Sequence, residues 1–266
     1  MSGEVHMLLE DKVATVTGGG YGIGRAIALA LAKEGADVVV AARTESALQE
    51  VAREIVSMGR QSLVVVCDFL KSEQADTMVE KALAKFGQID ILVNNSGIEG
   101  PTKTVAEMDI KGWNETLAVN LSGAMLCSRN VLEKSMIPRK SGVIINISSG
   151  AGRRGRAQRS PYTASKFAII GLTQTLAIEA GKYGIRVNAI APGAVEGERL
   201  ERVFRTEAKK HGITYEEMVA RSNSMAALGR TVKPEEIADL AVFLASDKSS
   251  GITGQTINID AGTNFN

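Results

Sequence analysis

Residues 13–24 read VATVTGGGYGIG, an apolar run that passes directly into a cluster of glycines. The run predicts a buried strand, and the pattern GRAIALALAKEG at 24–35 predicts the helix that follows it. Gly18, Gly22 and Gly24 have the spacing G-x3-G-x-G, a variant of the dinucleotide-binding fingerprint. Small residues there allow a tight turn and let the backbone approach a pyrophosphate at the helix N-terminus. The stretch favours a nucleotide site over an ordinary glycine-rich turn.

The alternation of strand and helix patterns continues along the chain. Six further apolar runs predict strands at 37–42, 62–67, 90–95, 142–148, 185–191 and 255–260. Several are nearly continuous Val and Ile, as expected for a parallel sheet with helices on both faces. We predict a doubly wound α/β fold of Rossmann type, with about seven strands in a single domain over 1–266. The polar stretch at about 193–230 is the least regular part and is a candidate lid over a pocket.

Composition excludes several classes of function. The 266 residues are 44% hydrophobic and carry a net charge of +1, which argues against a nucleic-acid or membrane-surface binder. Cys67 and Cys127 lie in apolar surroundings and are expected to be buried free thiols, which suits a reducing cytoplasm. No secretory signal or membrane span of about 20 apolar residues is visible. His6 and His211 lie far apart in the sequence, and no metal site is expected.

The end of the second predicted strand bears on the choice of nucleotide. A site for NAD usually has Asp or Glu there to hold the ribose hydroxyls. This strand ends in two alanines, followed by Arg43 and Thr44. No carboxylate is present to repel a 2′-phosphate, and an arginine is present to pair with one. NADP(H) is favoured, while NAD(H), with Arg43 a solvated loop residue, remains the alternative.

A tyrosine and a lysine are predicted to share one face of a later helix. Ser160 and Pro161 are typical of an N-cap and a first helical residue, which places Tyr162 one turn before Lys166. A free tyrosine has a pKa near 10, and a nearby ammonium lowers the pKa by favouring the phenolate. By itself the pattern is common on helix surfaces. Whether this pair is catalytic depends on the other motifs of the chain.

Several separated motifs supply that context. TGGGYGIG (17–24), NNSG (94–97), VN (119–120), INISS (145–149), YTASK (162–166) and NAIAPG (188–193) follow one another in the order and spacing of the short-chain dehydrogenase/reductase family. The resemblance covers essentially the whole chain, and ITGQTINIDAG (252–262) is similar to the family's last strand. The chain is therefore identified from its sequence as a member of that family.

The resemblance implies a catalytic tetrad. Tyr162 acts as the general acid in reduction and the base in oxidation, and Lys166 lowers its pKa and holds the nicotinamide ribose. Asn120 supports a water-mediated proton path. The family's spacing places the active serine thirteen residues before the tyrosine, which selects Ser149 and leaves Ser148 structural. The residues implied to contact the cofactor are Gly18, Tyr21, Gly22, Ile23, Gly24, Arg43, Thr44, Asp68, Asn94, Gly97, Tyr162, Lys166, Pro192, Gly193 and Val195.

The chain departs from the family's pattern at two positions. It has NNSG where the family often has NNAG, a small change. The family often has a threonine five residues after the proline of the PG motif, which contacts the cofactor's carboxamide. Here that position is Gly197. A backbone amide or a neighbouring residue of the lid is expected to replace that anchor.

An arginine-rich stretch precedes the tyrosine and contains Arg153, Arg154, Arg156 and Arg159. A solvated basic loop is the simplest interpretation, and we expect Arg153 and Arg156 to face solvent. Arg159 lies one helical turn before Tyr162, and Arg199 and Arg202 of the candidate lid are placed to approach the same cleft. Guanidinium groups pair well with carboxylate and phosphate groups. Arg159 and Arg199 are therefore candidate substrate contacts, and an anionic substrate is favoured over a neutral one.

The resulting hypothesis is an NADP(H)-dependent oxidoreductase that interconverts a carbonyl and a secondary alcohol on an anionic or thioester-tagged substrate. A 3-oxoacyl-thioester reductase is one form of it. An NAD(H)-dependent alcohol or polyol dehydrogenase on a neutral substrate is the alternative. A non-catalytic nucleotide-binding scaffold is disfavoured because all four tetrad residues are present, and an epimerase or dehydratase usually needs a larger substrate region. The resemblance also implies a homotetramer.

Overall fold

All seven predicted strands are present, with ends within one residue of their predicted positions. The structure is a computed structural model that describes residues 7–265, so His6 lies outside the described residues. The strands are β1 (Val13–Thr17), β2 (Asp37–Ala42), β3 (Ser62–Val66), β4 (Ile91–Asn94), β5 (Gly142–Ile147), β6 (Ile185–Pro192) and β7 (Thr256–Ile259).

The strands form one parallel sheet in the order β3-β2-β1-β4-β5-β6-β7. The chain moves outward from β1 to β3 and then returns to the other side of β1 to add β4 to β7. Loops that leave β1 and β4 therefore diverge at the carboxyl edge of the sheet. Ligands bind in the crevice at such a switch point. The predicted Rossmann-type fold is confirmed.

Helices cover both faces of this sheet. They are α1 (Gly22–Lys33), α2 (Glu45–Ser57), α3 (Glu73–Phe86), α4 (Ile110–Leu117), α5 (Gly123–Val131), α6 (Ile137–Arg139), α7 (Ser160–Gly181), α8 (Glu198–His211), α9 (Tyr215–Ser224) and α10 (Pro234–Ala245). Two π-helical turns, Ala118–Ser122 and Leu132–Met136, join α4, α5 and α6 into a continuous rod. Within residues 7–265, no helix combines the length and the hydropathy that a membrane crossing requires.

Alternate residues of the strands pack into two different cores. Val38 and Val40 of β2 face the layer that contains α1, α2 and α10, whereas Val39 and Ala41 face the layer that contains α3, α5 and α7. Both layers bury their strand residues almost completely. This explains the continuous Val and Ile runs of the sequence, because neither face of a covered parallel sheet meets water.

Both cysteines are buried free thiols, as the sequence predicts. Burial raises the pKa of Cys67 to about 11 and also raises the pKa of Cys127. Because the thiolate is the reactive form, both groups are inert near neutral pH.

The segment at 193–230 is more regular than its polar sequence suggests, because it contains α8 and α9. Acidic residues in the first turn of α8 and basic residues in its last turn suit the helix dipole. Phe204 and Ala208 are buried on the inner side of α8. Thr214 and Glu217 cap the start of α9 by mutual hydrogen bonds of 2.8 and 3.1 Å. Charge pattern and capping, rather than apolar periodicity, stabilise these helices.

Candidate active site

The turn between β1 and α1 depends on glycine at specific positions. Gly18 and Gly22 have φ values of 66° and 50°, in the left-handed region that favours glycine. A Cβ added at Gly24 would overlap the carbonyl oxygen of Gly18 and the side-chain amide of Asn95. The turn therefore brings the N-terminus of α1 close to the carboxyl edge of the sheet, with its backbone N–H groups facing a cleft.

Asn95 fixes this turn to the neighbouring strand β4. Its Nδ2 donates to the carbonyl oxygens of Thr17 and Gly18 at 2.9 and 3.2 Å. The Thr17 hydroxyl in turn accepts from the backbone N–H groups of Asn95 and Ser96, both at 3.0 Å. The sequence analysis missed this role of Asn95. The sequence feature that could have indicated this role is the second Asn of the NNSG motif at 94–97.

Asn94 does not occupy the position that the resemblance implies. Its Nδ2 donates to Ser128 Oγ at 3.0 Å and to Asn146 Oδ1 at 2.8 Å, inside the protein. The side chain is buried and lines neither of the two cavities at this edge. Successive side chains of a strand point to opposite faces, so the inward direction of Asn94 turns Asn95 towards the cleft.

The first cavity is a cleft of about 730 Å³ along the ends of β1, β2, β3 and β4. It brings together ten of the predicted cofactor residues, namely Gly18, Tyr21, Gly22, Ile23, Gly24, Arg43, Thr44, Asp68, Gly97 and Val195. Arg43 is exposed and makes no hydrogen bond or ion pair with the rest of residues 7–265. Gly197 also lines this cleft, with φ of 129°. The volume of the cleft, the glycine turn and the N-terminus of α1 together fit a dinucleotide.

The second cavity adjoins the first and measures about 670 Å³. Its wall contains the remaining predicted residues except Asn94 and Asn120: Ser149, Arg159, Tyr162, Lys166, Pro192, Gly193 and Arg199. Ile23, Asn95, Gly97, Val195 and Arg199 line both cavities. The cavities therefore meet beside Tyr162 and Lys166.

Helix α7 begins one residue earlier than predicted. Ser160 is its first residue and Arg159 its N-cap. The Ser160 hydroxyl is buried without a hydrogen-bond partner among residues 7–265, so it does not cap the helix as the sequence suggests. Tyr162 and Lys166 nevertheless share a face, and Lys166 Nζ lies 5.8 Å from the centroid of the Tyr162 ring.

Tyr162 is partly buried among cationic and hydroxyl groups. Burial is the largest single influence on its pKa and opposes ionisation. Lys166, then Arg199, a hydrogen bond from Ser149 and finally Arg159 favour the phenolate, and together they outweigh burial. The pKa of Tyr162 therefore lies below its ordinary value. A phenol in this environment exchanges its proton more readily near neutral pH than a free tyrosine does.

Lys166 is almost completely buried and is fixed by the protein backbone. Its Nζ donates to the carbonyl oxygen of Ile147 at 2.7 Å. Burial lowers its pKa, Tyr162 acts in the opposite direction, and Arg199 lowers it further. Ser148 donates its hydroxyl to the carbonyl of Lys166 at 2.9 Å, which is the structural position predicted for it. Ser149 Oγ instead accepts from Ala151 N–H at 3.1 Å and faces the cavity.

Asn120 lies in the first π-helical turn, a distortion that often marks a functional position. Its Oδ1 accepts from Ile98 N–H at 2.7 Å, and its Nδ2 donates to Ile98 O at 2.9 Å and to Ser165 Oγ at 3.1 Å. A Cβ added at Gly97 would lie 3.3 Å from Asn120 Oδ1 and 3.6 Å from Lys166 Nζ. Asn120 therefore lies close behind Lys166, although it lines neither cavity.

Glu99 meets three of the arginines that the sequence assigns to the substrate side. Arg199 Nε lies 2.9 Å from Glu99, and Arg159 and Arg202 each lie 3.5 Å from it. Burial tends to raise the pKa of Glu99, but the three arginines hold it below its ordinary value. Arg159 also donates to Thr102 Oγ1 at 3.1 Å. Much of the negative charge near these arginines is thus supplied by the protein itself.

Among the remaining arginines of the 153–159 stretch, Arg153 differs from the prediction, whereas Arg156 is exposed as expected. Arg153 does not face solvent, because its Nε donates to Asn258 Oδ1 at 3.0 Å and its NH2 donates to Thr256 O at 2.5 Å, both in β7. Arg154 and Arg156 are exposed but also line the second cavity. Neither side chain makes a hydrogen bond or ion pair within the described chain. They are the unneutralised cations of this stretch.

An apolar wall completes the second cavity. It comes from α8, α9 and the turn after them and consists of Leu200, Val203, Phe204, Met218, Met225 and Ala226. The sequence analysis missed these residues because they are dispersed in a polar segment. In residues 7–265, no group of three or more His, Cys, Asp or Glu side chains is placed to hold a metal ion.

Comparisons with known proteins agree with the fold described above. The family model described as enoyl-(acyl carrier protein) reductase matches residues 18–264. A short chain dehydrogenase/reductase of Aspergillus oryzae is 40% identical over 255 residues, which are 96% of this chain and 95% of the relative. A 3-oxoacyl-[acyl-carrier-protein] reductase of Synechocystis is 38% identical over 256 residues, 96% of this chain and 97% of the relative.

Two solved structures are similar over nearly the whole chain. A xylitol dehydrogenase with bound NAD+ superimposes with a TM-score of 0.91 and 32% identity, covering 96% of this chain and 99% of its own. An actinorhodin polyketide ketoreductase variant with NADPH gives a TM-score of 0.90 and 33% identity, covering 95% of this chain and 97% of its own. The similar proteins thus include users of either nicotinamide cofactor.

Proposed function

This chain belongs to the short-chain dehydrogenase/reductase family, whose members are oxidoreductases of carbonyl and CH–OH groups, and we propose that it uses NADP(H) to interconvert a carbonyl and a secondary alcohol. The observation that carries the proposal is the position of Tyr162. It lies where the two cavities meet, in the same wall as Ser149 and close to Lys166.

Tyr162 is the acid and base of the proposed reaction. A bound nicotinamide dinucleotide supplies a hydride in reduction and accepts one in oxidation. In reduction, the Tyr162 hydroxyl gives its proton to the carbonyl oxygen as negative charge develops there. In oxidation, the phenolate removes the proton of the alcohol. Ser149 donates a hydrogen bond to the same oxygen and so stabilises its charge and fixes its position.

Lys166 and Asn120 support this proton transfer. The Lys166 ammonium stabilises the phenolate and is directed by its hydrogen bond to Ile147 O. We assign to Lys166 the ribose of the nicotinamide, since it lines the cavity beside the shared wall. Asn120, held by Ile98 and Ser165 behind Lys166, supports a water-mediated path that returns the proton to solvent.

The choice of NADP(H) rests on Arg43. Its guanidinium is exposed in the cleft, has no partner among residues 7–265, and follows a strand without a terminal carboxylate. It is therefore free to make paired hydrogen bonds with a 2′-phosphate. The polyketide ketoreductase with NADPH is in line with this assignment. NAD(H) is the alternative, as in the similar xylitol dehydrogenase.

The substrate side favours an anionic or thioester-tagged carbonyl compound. Arg154 and Arg156 line the cavity and have no ion-pair partner among residues 7–265, and the apolar wall of α8 and α9 lines the same cavity. This combination suits a molecule with an apolar body and a negatively charged group. A neutral alcohol or polyol is the second candidate, and the observation in its favour is that Glu99 already neutralises part of the charge of Arg159 and Arg199.

Three further assignments belong to the proposal. We assign to 193–230 the role of a lid, because α8 and α9 supply one wall of the substrate cavity. We assign a homotetramer on family membership, which is supported by exposed apolar side chains such as Ile110, Phe167 and Ile178 on the outer helices. We assign the cytoplasm as the location.

A substrate screen with both cofactors tests the proposal. Purified protein is mixed with NADPH or NADH and a panel of anionic, thioester and neutral carbonyl compounds, while the absorbance of the reduced nicotinamide is followed. The proposal expects turnover of at least one carbonyl class, faster with NADPH than with NADH. Preference for NADH and a neutral polyol would select the alternative.

A further inference from the structure

Three arginines from two parts of the chain converge on one carboxylate beside Tyr162. Arg159 is the N-cap of α7, whereas Arg199 and Arg202 lie one turn apart on α8. Glu99, in the loop after β4, accepts a hydrogen bond from Arg199 at 2.9 Å and pairs with the other two at 3.5 Å. We refer to these four residues as the Glu99 cluster. It joins α8 to the rigid edge of the sheet.

Within the Glu99 cluster, Arg199 has a second contact. Its guanidinium carbon lies 5.8 Å from the centroid of the Tyr162 ring, the same distance as Lys166 Nζ. Arg202 makes no such ring contact among the described residues, although it shares the helix and the carboxylate with Arg199. The charged and hydrogen-bonding groups that face Tyr162 are Ser149, Arg156, Arg159, Lys166 and Arg199.

We propose that Arg199, anchored by Glu99, is a positioning residue that stabilises the ionised form of Tyr162 from the α8 side. The inference deepens the proposed function, since it takes Tyr162 as the acid and base. It assigns to α8 a part in the chemistry as well as in enclosing the substrate, because Tyr162 receives this charge only while α8 is seated against Glu99.

The chemistry of the two cations explains why a second one is useful. Lys166 is nearly fully buried, and burial lowers its pKa, so its positive charge costs free energy to maintain. A guanidinium stays charged across the working pH range of proteins. Arg199 is half exposed and paired with Glu99, so a positive charge at this position costs little free energy. It supplies a second positive charge near Tyr162.

A difference titration of tyrosine absorbance tests the proposal without any substrate. The protein contains four tyrosines, and subtracting the titration of Tyr162→Phe from that of the wild type isolates Tyr162. The same subtraction is made for each variant in its own Tyr162→Phe background. Arg199→Met should move the midpoint upward by about one pH unit, a tenfold loss of phenolate at a fixed lower pH. Arg199→Lys should recover part of the change.

Arg202→Met is the matched control, because it removes the same charge from the same helix and the same carboxylate. Its Tyr162 midpoint should stay at the wild-type value. Glu99→Gln removes the anchor, so adding Arg199→Met in that background should shift the midpoint by less than half as much as in the wild type. An unchanged midpoint in Arg199→Met, or an equal shift in Arg202→Met, overturns the proposal.

The titration and the activity answer different questions. If no carbonyl or alcohol is turned over, the proposed function fails while the titration still decides the role of Arg199. If the protein is active, Arg199→Met should lower kcat/KM for alcohol oxidation about tenfold on the acid side of the pH profile and match the wild type at high pH. If Arg199→Met fails to fold, Arg199→Lys and Glu99→Gln replace it, provided that their circular dichroism spectra are native. A Tyr162 titration midpoint above the wild-type value in these variants then supports the role of Arg199, and an unchanged midpoint overturns it.

Discussion

The two cavities share a wall but are built in different ways. The cofactor cleft is shaped by backbone, because its turn depends on Gly18, Gly22 and Gly24 and is tied to β4 by Asn95. The substrate cavity is shaped by long side chains, above all the arginines of 153–159 and of α8 and the apolar residues of α8 and α9. Backbone geometry can be inferred from local sequence, whereas the pairing of long side chains depends on the complete fold.

Tyr162 lies between the two regions, and its replacement has the largest expected effect. Tyr162→Phe removes only the hydroxyl and so should reduce turnover by at least about a hundredfold, the low end for loss of a general acid–base group. Cofactor affinity and Tm should stay near the wild-type values. Steady-state kinetics and thermal unfolding measure both. Tyr183→Phe, at a position that lines neither cavity, is the control and should retain full turnover.

Arg43 tests whether side-chain charge also contributes to the cofactor cleft. Arg43→Ala should weaken NADPH binding by about 1.5–3 kcal/mol, the range for hydrogen bonds to a charged group, and should change NADH binding little. Calorimetric titration with each cofactor provides the comparison. Arg25→Ala is a control, because Arg25 lines the same cleft but is already paired with Glu54 at 2.7 Å. Equal weakening of both cofactors by Arg43→Ala would remove the basis for NADP(H).

Gly24 tests how strictly the backbone shapes the cleft. Gly24→Ala places a methyl group against Gly18 O and Asn95, which should destabilise the protein by about 1–3 kcal/mol, as overpacking does. The expected loss of Tm is about 2–4 °C per kcal/mol, and dinucleotide binding should weaken as well. In Gly155→Ala the added Cβ has no neighbour within 4 Å, so its Tm should not fall. Similar Tm values for the two variants would contradict the close approach.

Arg156 and Arg159 test the substrate cavity, with the smallest expected effect. Arg156→Ala should raise KM for an anionic carbonyl substrate about tenfold, or about 1.4 kcal/mol, and should leave a neutral analogue unchanged. Arg159→Ala should change KM less, since Glu99 and Thr102 already bind that side chain. A larger effect at Arg159 than at Arg156 would favour the assignment made from sequence alone. The ratio of kcat/KM for the anionic substrate to kcat/KM for its neutral analogue should be lower in Arg156→Ala than in the wild type. The same ratio in both proteins would favour a neutral substrate.

The same contrast accounts for what the sequence could predict. The seven strands and the shared face of Tyr162 and Lys166 follow from local patterns, because strand ends and helix periodicity bring these elements to one edge of the sheet. The choice of Ser149 over Ser148 followed only from the resemblance to the family. Asn94 was expected in the cofactor cleft, where the structure has Asn95, because the inward and outward sides of a strand end depend on one residue of register.

The arginines were harder to assign from the sequence. Arg153 binds β7, more than 100 residues later in the chain, and Glu99 meets residues from two helices, so no local pattern could reveal either pairing. The apolar wall of α8 and α9 was hidden for a similar reason, because Phe204 and its neighbours are dispersed among charged residues.

The central claim is that hydride passes between a nicotinamide cofactor and a carbonyl group while Tyr162 supplies the proton. Transfer of deuterium from the cofactor to the product tests this claim most directly. Protein is incubated with NADPH deuterated at the reactive carbon and with a carbonyl substrate identified in the screen, and the product is analysed by mass spectrometry. The account predicts one deuterium on the carbinol carbon in the wild type and at least about a hundredfold slower transfer in Tyr162→Phe. Transfer at the wild-type rate in Tyr162→Phe, or no transfer from either deuterated cofactor to any carbonyl tested, would contradict it.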